Sequence, residues 1–453
     1  FKVPSPGGTY HSKFFLLFGT DCLHVVVSTG NMNPQGTLDV SWVQTFPAKS
    51  FSSSSGSSDT FPWLKKTQFE EQLLDYCQHV NRELGKCRSS MPLEEFVLTN
   101  VGTPLDEIFA EYDFSKVKVS LTTSVPGPSK LHKKHKNEKY GHIQVKNLLR
   151  TAYPSCEAIA KCYGKRSLGE LIVQPTSIGN HFSGIQYYSF LESFRDPSDE
   201  VRAKDCLIWP LMESLRGDGL GRDANDGCLF MSSTCFLSMG VDGALDDSFH
   251  MFSHKEHVRN IVPHTKLYMR LYDQNEKDDA RIRWIKMGSD CLSVGAQGLW
   301  DNKEGTNLVR NWEMGVLFHE STTCLLHAGN FPVVTATDED CLRCVFPIPF
   351  SITRLAPYRD ENGFWPDDRI PYMHEMQSNE IYPWTKHTNT REMSFSMREE
   401  FRRVQRHADS HSNATLSESS EAMANENSLL AIKKYCEENN MNMKEFLGRI
   451  YQS

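Results

Sequence analysis

The residues of this sequence best suited to chemistry are a histidine and a lysine two positions apart, at the start of an apolar run. The stretch TYHSKFFLLF carries them as His11 and Lys13. Side chains two apart on a strand point to the same face of the sheet. The spacing alone is weak evidence, because composition predicts about two His-x-Lys/Arg triplets by chance. The chain contains them at His11, His132, His257 and His264.

The surroundings of His11 recur around His264, in the stretch VPHTKLYMRLY that also carries Lys266. In both places a second strand pattern, a small-residue turn that opens a helix, and a third strand pattern follow. The third strands read LDVSWVQTF and NWEMGVLF. An internal repeat in this order is far more specific than a tripeptide. It predicts one site with two imidazoles, which can attack or transfer protons, and two ammonium groups, which neutralise phosphate oxygens.

These motifs resemble the phospholipase D superfamily and, within it, the tyrosyl-DNA phosphodiesterase family. The usual superfamily signature has Asp five residues after the lysine, where this chain has Phe18 and Leu271. The tyrosyl-DNA phosphodiesterases pair the motif with a later Asn, which STGNMNP supplies as Asn31. The resemblance covers about residues 6 to 384. It implies an α/β fold of two pseudo-symmetric phospholipase D-like domains, each a mixed β-sheet flanked by helices, with the active site at their interface.

The resemblance also implies a role for each site residue. His11 is expected to be the nucleophile and His264 the general acid and base of a phosphohistidine mechanism that needs no metal or other cofactor. Stabilising and supporting roles fall to Lys13, Lys266, Asn31 and Glu313. The stretch QPTSIGN resembles the family's loop that contacts DNA phosphates, which implies substrate binding by Ser177, Thr176 and Asn180.

Two positions depart from the family pattern. In the second half the turn reads GSDCLS, which places Cys291 where the family has Asn, with Asp290 beside it as a second candidate for substrate contact. In the first half, Ser41 stands where a supporting Gln is expected. Three functions therefore stay open: a DNA 3′-end repair enzyme, another metal-independent phosphodiesterase, nuclease or phosphatidyl transferase, and an inactive protein that binds DNA ends.

Changes in composition along the chain predict its domain organisation. We expect an N-terminally truncated phospholipase D-like domain over 1–140, a second such domain over 141–388, and a polar linker with a helical tail over 389–453. Helical periodicity is predicted at 69–84, near 104–112 and at 142–153, and a strand at about 117–125.

Composition bounds the compartment and the partners. No apolar run is long enough to span a bilayer, and 13 scattered Cys indicate a reducing compartment. The formal net charge of −8 disfavours indiscriminate binding of nucleic acid without excluding a local basic groove. The resemblance implies a nuclear, monomeric hydrolase without membrane contact. Its expected substrates are single-stranded or duplex DNA with 3′-terminal adducts, including peptide–DNA derived from topoisomerase I, and its product is a DNA 3′-phosphate.

Overall fold

The computed structural model describes most of the first 350 residues in segments. These segments are 9–31, 37–49, 66–84, 95, 104–126, 139–153, 168–179, 184–195, 205–210, 229–231, 235, 239, 248–251, 262–272, 281–301, 306–319, 325–329, 343–348, 350 and 357. Most of the helix start expected in the first half, NMNPQGT at 31–37, lies outside them. The same holds for most of a basic run, KLHKKHKNEK at 130–139, and for the whole tail at 389–453.

The described elements are mostly short strands with a few helices. The helices are α1 (Gln68–Leu84), α2 (Leu105–Ala110), α3 (Gly141–Ala152), α4 (Gly184–Phe194) and α5 (Val294–Gln297). The strands are β1 (Phe14–Phe18), β2 (Cys22–Ser28), β3 (Thr37–Leu38), β4 (Ser41–Pro47), β5 (Ser120–Ser124), β6 (Leu168–Gln174), β7 (Ser177–Ile178), β8 (Asp205–Trp209), β9 (Phe230–Met231), β10 (Phe249–Met251), β11 (Val262–Pro263), β12 (Leu267–Tyr272), β13 (Arg281–Gly288), β14 (Leu299–Asp301), β15 (Thr306–Leu308), β16 (Glu313–His319), β17 (Leu325–Gly329) and β18 (Arg343–Pro347).

Three of these helices and one strand fall where the sequence periodicity predicts them. Helices α1, α2 and α3 match the predictions at 69–84, 104–112 and 142–153, and β5 matches the strand predicted near 117–125. In the second half, the small-residue turn opens α5 as expected, where the Ser293 side chain accepts a hydrogen bond from the backbone N–H of Ala296.

The chain divides into two compact units. Unit 1 comprises 1–174, 193–203 and 263–349, and unit 2 comprises 175–192, 204–262 and 350–453. Both histidine–lysine motifs belong to unit 1. Unit 1 includes residues on both sides of position 140, so the boundary expected there remains a prediction from composition.

Unit 1 contains the two halves of the sequence repeat as two sets of antiparallel strands. The first half forms the sheet β1-β2-β4. The second half forms the neighbouring strands β12-β13-β16, extended by β6 on one side and β5 on the other. Strand β17 pairs antiparallel with β13 and parallel with β18, which makes this a mixed sheet. The repeat predicted from sequence is therefore present in the strand order.

Helix α1 packs its apolar face against β5 in unit 1. The buried positions recur at helical spacing, as an amphipathic helix requires: Phe69, Leu73, Tyr76, Cys77 and Val80. Burying one such side chain contributes about 1.5–3 kcal/mol, so this face fixes the helix firmly. Tyr76 packs edge-on against Phe14 and Trp312, which lie beside the first motif and before β16.

Unit 2 has short parallel pairings in its described part. Strand β8 pairs with β10, and β7 pairs with β9. Strand β8 is buried along its whole length, as expected of a strand covered on both faces. Among the described residues of both units, no helix combines the length and apolarity needed to cross a membrane.

Candidate active site

Strand register aligns the two halves of the repeat residue by residue. The residue after each motif lysine pairs with the second strand of its half: Phe14 with Val27, and Leu267 with Met287. Four positions beyond these partners lie Asn31 and Cys291. The register therefore places Cys291 at the position that Asn31 occupies in the first half, which is the position that the family resemblance implies for it.

The third strands extend this alignment to two carboxylates. Val27 pairs with Trp42, and Met287 pairs with Val316. Three positions before Trp42 and Val316 lie Asp39 and Glu313. Asp39 is therefore the counterpart of Glu313, although the sequence analysis did not identify it.

The same local hydrogen bonds support both carboxylates. Thr29 exchanges backbone and side-chain bonds with Val40, and its hydroxyl donates to Asp39 at 3.2 Å. Ser289 makes the matching bonds with Met314, and its hydroxyl donates to Glu313 at 2.6 Å. A hydroxyl residue just after the second strand thus orients the carboxylate in each half.

This arrangement corrects the expectation that Ser41 supports the site in the first half. The Ser41 hydroxyl donates to the Ser28 hydroxyl at 2.9 Å instead. Ser41 pairs with Ser28 in the β2–β4 ladder, so it lies two residues past the position that matches Glu313. Residue counting gave the wrong position because the segment between the second and third strands differs between the halves in length and composition. In the first half this segment contains β3.

Each histidine is held by the carboxylate of the opposite half. The distance from His11 Nδ1 to Glu313 Oε2 is 3.0 Å, and that from His264 Nδ1 to Asp39 Oδ1 is 2.9 Å. A carboxylate that accepts from Nδ1–H leaves the lone pair of a neutral imidazole on Nε2. This reciprocal exchange brings both motifs into one site, as the repeat predicts.

Both lysines fold back onto their own motif. Lys13 Nζ donates to the His11 carbonyl at 2.6 Å, and Lys266 Nζ donates to the His264 carbonyl at 2.8 Å. Burial, followed by repulsion from Lys266, lowers the pKa of Lys13 to about 8. The two ammonium groups are therefore close enough to repel each other, which an anionic ligand would relieve.

The two histidines differ in exposure and in the group that contacts their second ring nitrogen, Nε2. The side chain of His11 is 27% exposed and that of His264 is 3% exposed. Lys266 Nζ lies 3.2 Å from His264 Nε2. Burial, then Lys266, lowers the pKa of His264 to about 4 despite the opposing effect of Asp39.

The carboxylates show the opposite pattern of exposure. Glu313 is buried, whereas Asp39 retains partial exposure. Burial acts to raise the pKa of Asp39, but hydrogen bonds from His264 and Thr37 outweigh it and hold the pKa below its usual range. Asp39 is therefore ionised at neutral pH and can carry the countercharge for a protonated His264.

The middle residue of each motif is also anchored, which sequence reasoning missed. Ser12 Oγ lies 2.5 Å from the Tyr76 hydroxyl of α1. Thr265 donates to Gln174 Oε1 at 2.8 Å, and Gln174 Nε2 donates to the Thr265 carbonyl at 3.0 Å. A polar residue between His and Lys, pointing to the opposite face, was the available signal.

The turn residues of the two halves differ in chemistry. Asp290 accepts hydrogen bonds from Lys286 on both oxygens and from Gln297, so these two residues engage its carboxylate. Cys291 is buried and near enough to Lys13 to affect the pKa of that lysine. Asn31 is exposed.

The residues expected to contact DNA phosphates belong to unit 2. Thr176 is buried, and its carbonyl accepts from the Phe230 N–H at 2.9 Å. Ser177 is half-buried in β7, and Asn180 lies outside the described residues. Their contact with DNA remains a prediction. Within the described segments, no three His, Cys, Asp or Glu side chains are grouped to hold a metal ion.

Comparison with known proteins adds an independent finding. The sequence model described as tyrosyl-DNA phosphodiesterase matches residues 1–359. A curated relative from Arabidopsis thaliana, tyrosyl-DNA phosphodiesterase 1, is 26% identical over 337 residues, which are 70% of this chain and 48% of that protein. The chain thus spans about half the length of this relative.

Solved structures support the fold. The crystal structure of the yeast tyrosyl-DNA phosphodiesterase matches with a TM-score of 0.50 and 15% identity, covering 78% of this chain and 76% of that chain. A histidine-to-arginine variant of the yeast protein matches with a TM-score of 0.51 and 14% identity over the same shares. The expected α/β fold is confirmed by this similarity.

Proposed function

Because the chain belongs to the tyrosyl-DNA phosphodiesterase family, we propose that it hydrolyses the bond between a DNA 3′-phosphate and a tyrosyl or similar adduct. The observation that carries this proposal is the reciprocal pairing of His11 with Glu313 and of His264 with Asp39, beside two lysines. Two positioned imidazoles and two ammonium groups supply a nucleophile, an acid and charge neutralisation.

In the first step, Nε2 of His11 attacks the 3′-phosphorus. A phosphorus–nitrogen bond forms as the bond to the tyrosyl oxygen breaks, and protonated His264 gives its proton to that oxygen. The more exposed histidine takes the attacking role, because the nucleophile must reach the phosphorus in line with the leaving group. Glu313 keeps the His11 lone pair on Nε2.

In the second step, neutral His264 takes a proton from water as the water oxygen attacks phosphorus. The bond to His11 breaks, and a DNA 3′-phosphate is released. Lys13, Lys266 and Asn31 stabilise the negative oxygens in both transition states. We propose that no metal takes part, because histidines and lysines carry each of these tasks, and chelator should leave activity unchanged.

The proposed substrates are single-stranded or duplex DNA with a 3′-terminal adduct, including peptide–DNA derived from topoisomerase I. Ser177, Thr176 and Asn180 are proposed to hold upstream phosphates. Each neutralised phosphate releases counterions, so affinity should fall steeply with salt. We also propose a nuclear location and a monomeric state. The scattered Cys support a reducing compartment, and the DNA substrate supports the nucleus.

The test is to assay the purified protein with a 3′-phosphotyrosyl oligonucleotide as substrate. Release of a 3′-phosphate end supports the proposed function, and cleavage of internal phosphodiesters or of a phospholipid would indicate another phosphodiesterase. Binding without cleavage would indicate the inactive DNA-end binder, which Cys291 at the Asn31-equivalent position favours as second candidate.

A further inference from the structure

In this structure His264 cannot act as a general acid, because its Nε2 carries no proton. Its Nδ1 faces Asp39 at 2.9 Å, and its Nε2 faces the Lys266 ammonium at 3.2 Å. An ammonium group has only donors, so Nε2 must offer its lone pair, and the imidazole is neutral. The proposed first step needs a proton on that same Nε2.

The charged groups that act on His264 come from three segments. Lys266 belongs to the same motif, Lys13 belongs to the motif of the other half, and Asp39 precedes β4. Both lysines disfavour a proton on the imidazole, and Asp39 favours it. A ligand that drew the lysines to itself would therefore change the protonation of His264.

A phosphodiester supplies such a ligand. Its oxygens accept charge-assisted hydrogen bonds, which are stronger than the bond from Lys266 to a neutral imidazole. Once Lys266 turns to the phosphate, Nε2 loses its donor and gains a nearby negative charge. The proton then comes from solvent rather than from Lys266, because an ammonium beside phosphate holds its proton far more tightly than an imidazolium does.

We propose that substrate binding converts His264 into the general acid by net uptake of one proton, and that Asp39 is the positioning residue that holds the resulting imidazolium. This inference rests on the proposed function. The Asp39 carboxylate is fixed for the task, because Thr29 and Thr37 donate to its two oxygens at 3.2 and 2.6 Å. An amide at this position would keep the shape and lose the charge.

The experiment measures protons taken up on binding. The His11→Ala variant removes the proposed nucleophile, so it should bind a single-stranded 3′-phosphotyrosyl oligonucleotide without cleaving it. Titration calorimetry at pH 6, in two buffers of different ionisation enthalpy, gives the protons exchanged per complex. A phosphodiester does not titrate near this pH. Lys13, with its pKa of about 8, is already protonated there, whereas His264, with its pKa of about 4, is not.

We expect uptake of about one proton per complex for His11→Ala. Adding Asp39→Asn should reduce the uptake to less than about half, because the imidazolium loses its countercharge. Adding Ser41→Ala is the matched control, two residues from Asp39 along the chain, and it should leave the uptake unchanged, since Ser41 bonds to Ser28. Adding His264→Gln should abolish the uptake, which identifies the titrating group even if the Asp39 variant folds poorly.

Three results would overturn the inference: no uptake by His11→Ala, uptake that survives His264→Gln, or equal uptake with and without the Asp39 carboxylate. Cleavage by the unmodified chain separates these from failure of the proposed function. If the unmodified chain cleaves the oligonucleotide and uptake is absent, only the inference fails. If it neither cleaves nor binds, the proposed function itself fails.

Discussion

The two halves of the site use the same hydrogen-bonded frame but leave opposite members of the pair open to solvent. In one half a partly exposed His11 is hydrogen-bonded to a buried Glu313, and in the other a buried His264 is hydrogen-bonded to a partly exposed Asp39. The repeated strands fix where each side chain stands. The surroundings decide its protonation, because only His264 has a lysine against its second nitrogen.

A sequence repeat therefore does not give the two halves of the site the same chemistry. A repeat makes two equivalent candidates for the nucleophile, and the sequence cannot choose between them. Exposure favours His11 as the group that reaches the substrate. Burial beside a carboxylate favours His264 as the group whose proton is controlled.

The largest effects are expected when each histidine is removed in turn. We expect His11→Ala to lower the rate of cleavage by at least about 10⁴-fold and to abolish any DNA-linked protein. His264→Gln should slow turnover by about 10²–10⁴-fold. The covalent adduct should then accumulate, at least with a substrate whose leaving group needs little protonation. Denaturing gels of the reaction with labelled DNA measure both, and an adduct seen only with His11→Ala would reverse the two roles.

Exchanging each carboxylate for its amide tests whether the two halves serve different steps. Glu313→Gln should slow adduct formation by about 10²-fold with any leaving group, because it disturbs the tautomer of the nucleophile. Asp39→Asn should slow adduct formation when the leaving group is tyrosyl. It should have little effect when the leaving group is nitrophenol, which departs with little help from an acid. Single-turnover rates on the two substrates measure this. Equal losses for both variants on both substrates would contradict the division of roles.

The buried histidine should also make stability depend on pH. Unfolded His264 binds a proton below about pH 6.5, whereas the folded protein binds it only below about pH 4. Its contribution to stability is therefore full above pH 6.5 and falls by about 3 kcal/mol as pH drops toward 4. Denaturant unfolding of His264→Gln should show a flatter dependence in this window.

His142, outside the site, provides a matched control for that measurement. Burial lowers its pKa to about 4 as well, and its Nδ1 lies 2.7 Å from the Gln297 carbonyl. His142→Gln should flatten the stability profile to a similar extent while leaving cleavage intact. A steep profile that both variants retain would show that neither histidine is buried in its neutral form.

The smallest effect is expected from replacing Cys291, which stands in the turn of the second half where the first half has Asn31. A thiol is a weak hydrogen-bond donor compared with an amide. Cys291→Asn should therefore raise kcat by up to about tenfold, whereas Asn31→Ala should lower it by about 10²-fold. Steady-state kinetics on the tyrosyl substrate measures both. A decrease with Cys291→Asn would indicate that the thiol is suited to its place beside Lys13.

The sequence predicted the parts of the site that depend on local pattern. The apolar strands after His11 and His264, the third strands and helix α1 follow from periodicity, so both motifs could be placed on matching strands. Asp39 was missed because its role depends on the register between β2 and β4, which residue counting across an unequal loop does not give. Tyr76 and Gln174 were missed for the same reason: their contacts join segments far apart in the chain.

Exposure of the two histidines could not be predicted either. Both stand before apolar strands of similar composition, and the difference comes from what packs over them. Lys13 and Lys266 occupy matching positions, yet only Lys266 reaches its histidine Nε2 and the Thr29 carbonyl. Such differences are set by side-chain packing in three dimensions rather than by spacing along the chain.

The exchange of carboxylates between halves has a consequence for how the protein folds. The pair formed by His11 and Glu313 closes a loop of 302 residues, and that of His264 and Asp39 closes one of 225. Contacts so distant along the chain form late, because the entropy of closing the loop is lost before any bond compensates for it. We therefore expect catalytic activity to be the last property recovered on refolding from denaturant, after helical circular dichroism returns. During synthesis, the site can form only once the ribosome has released β16.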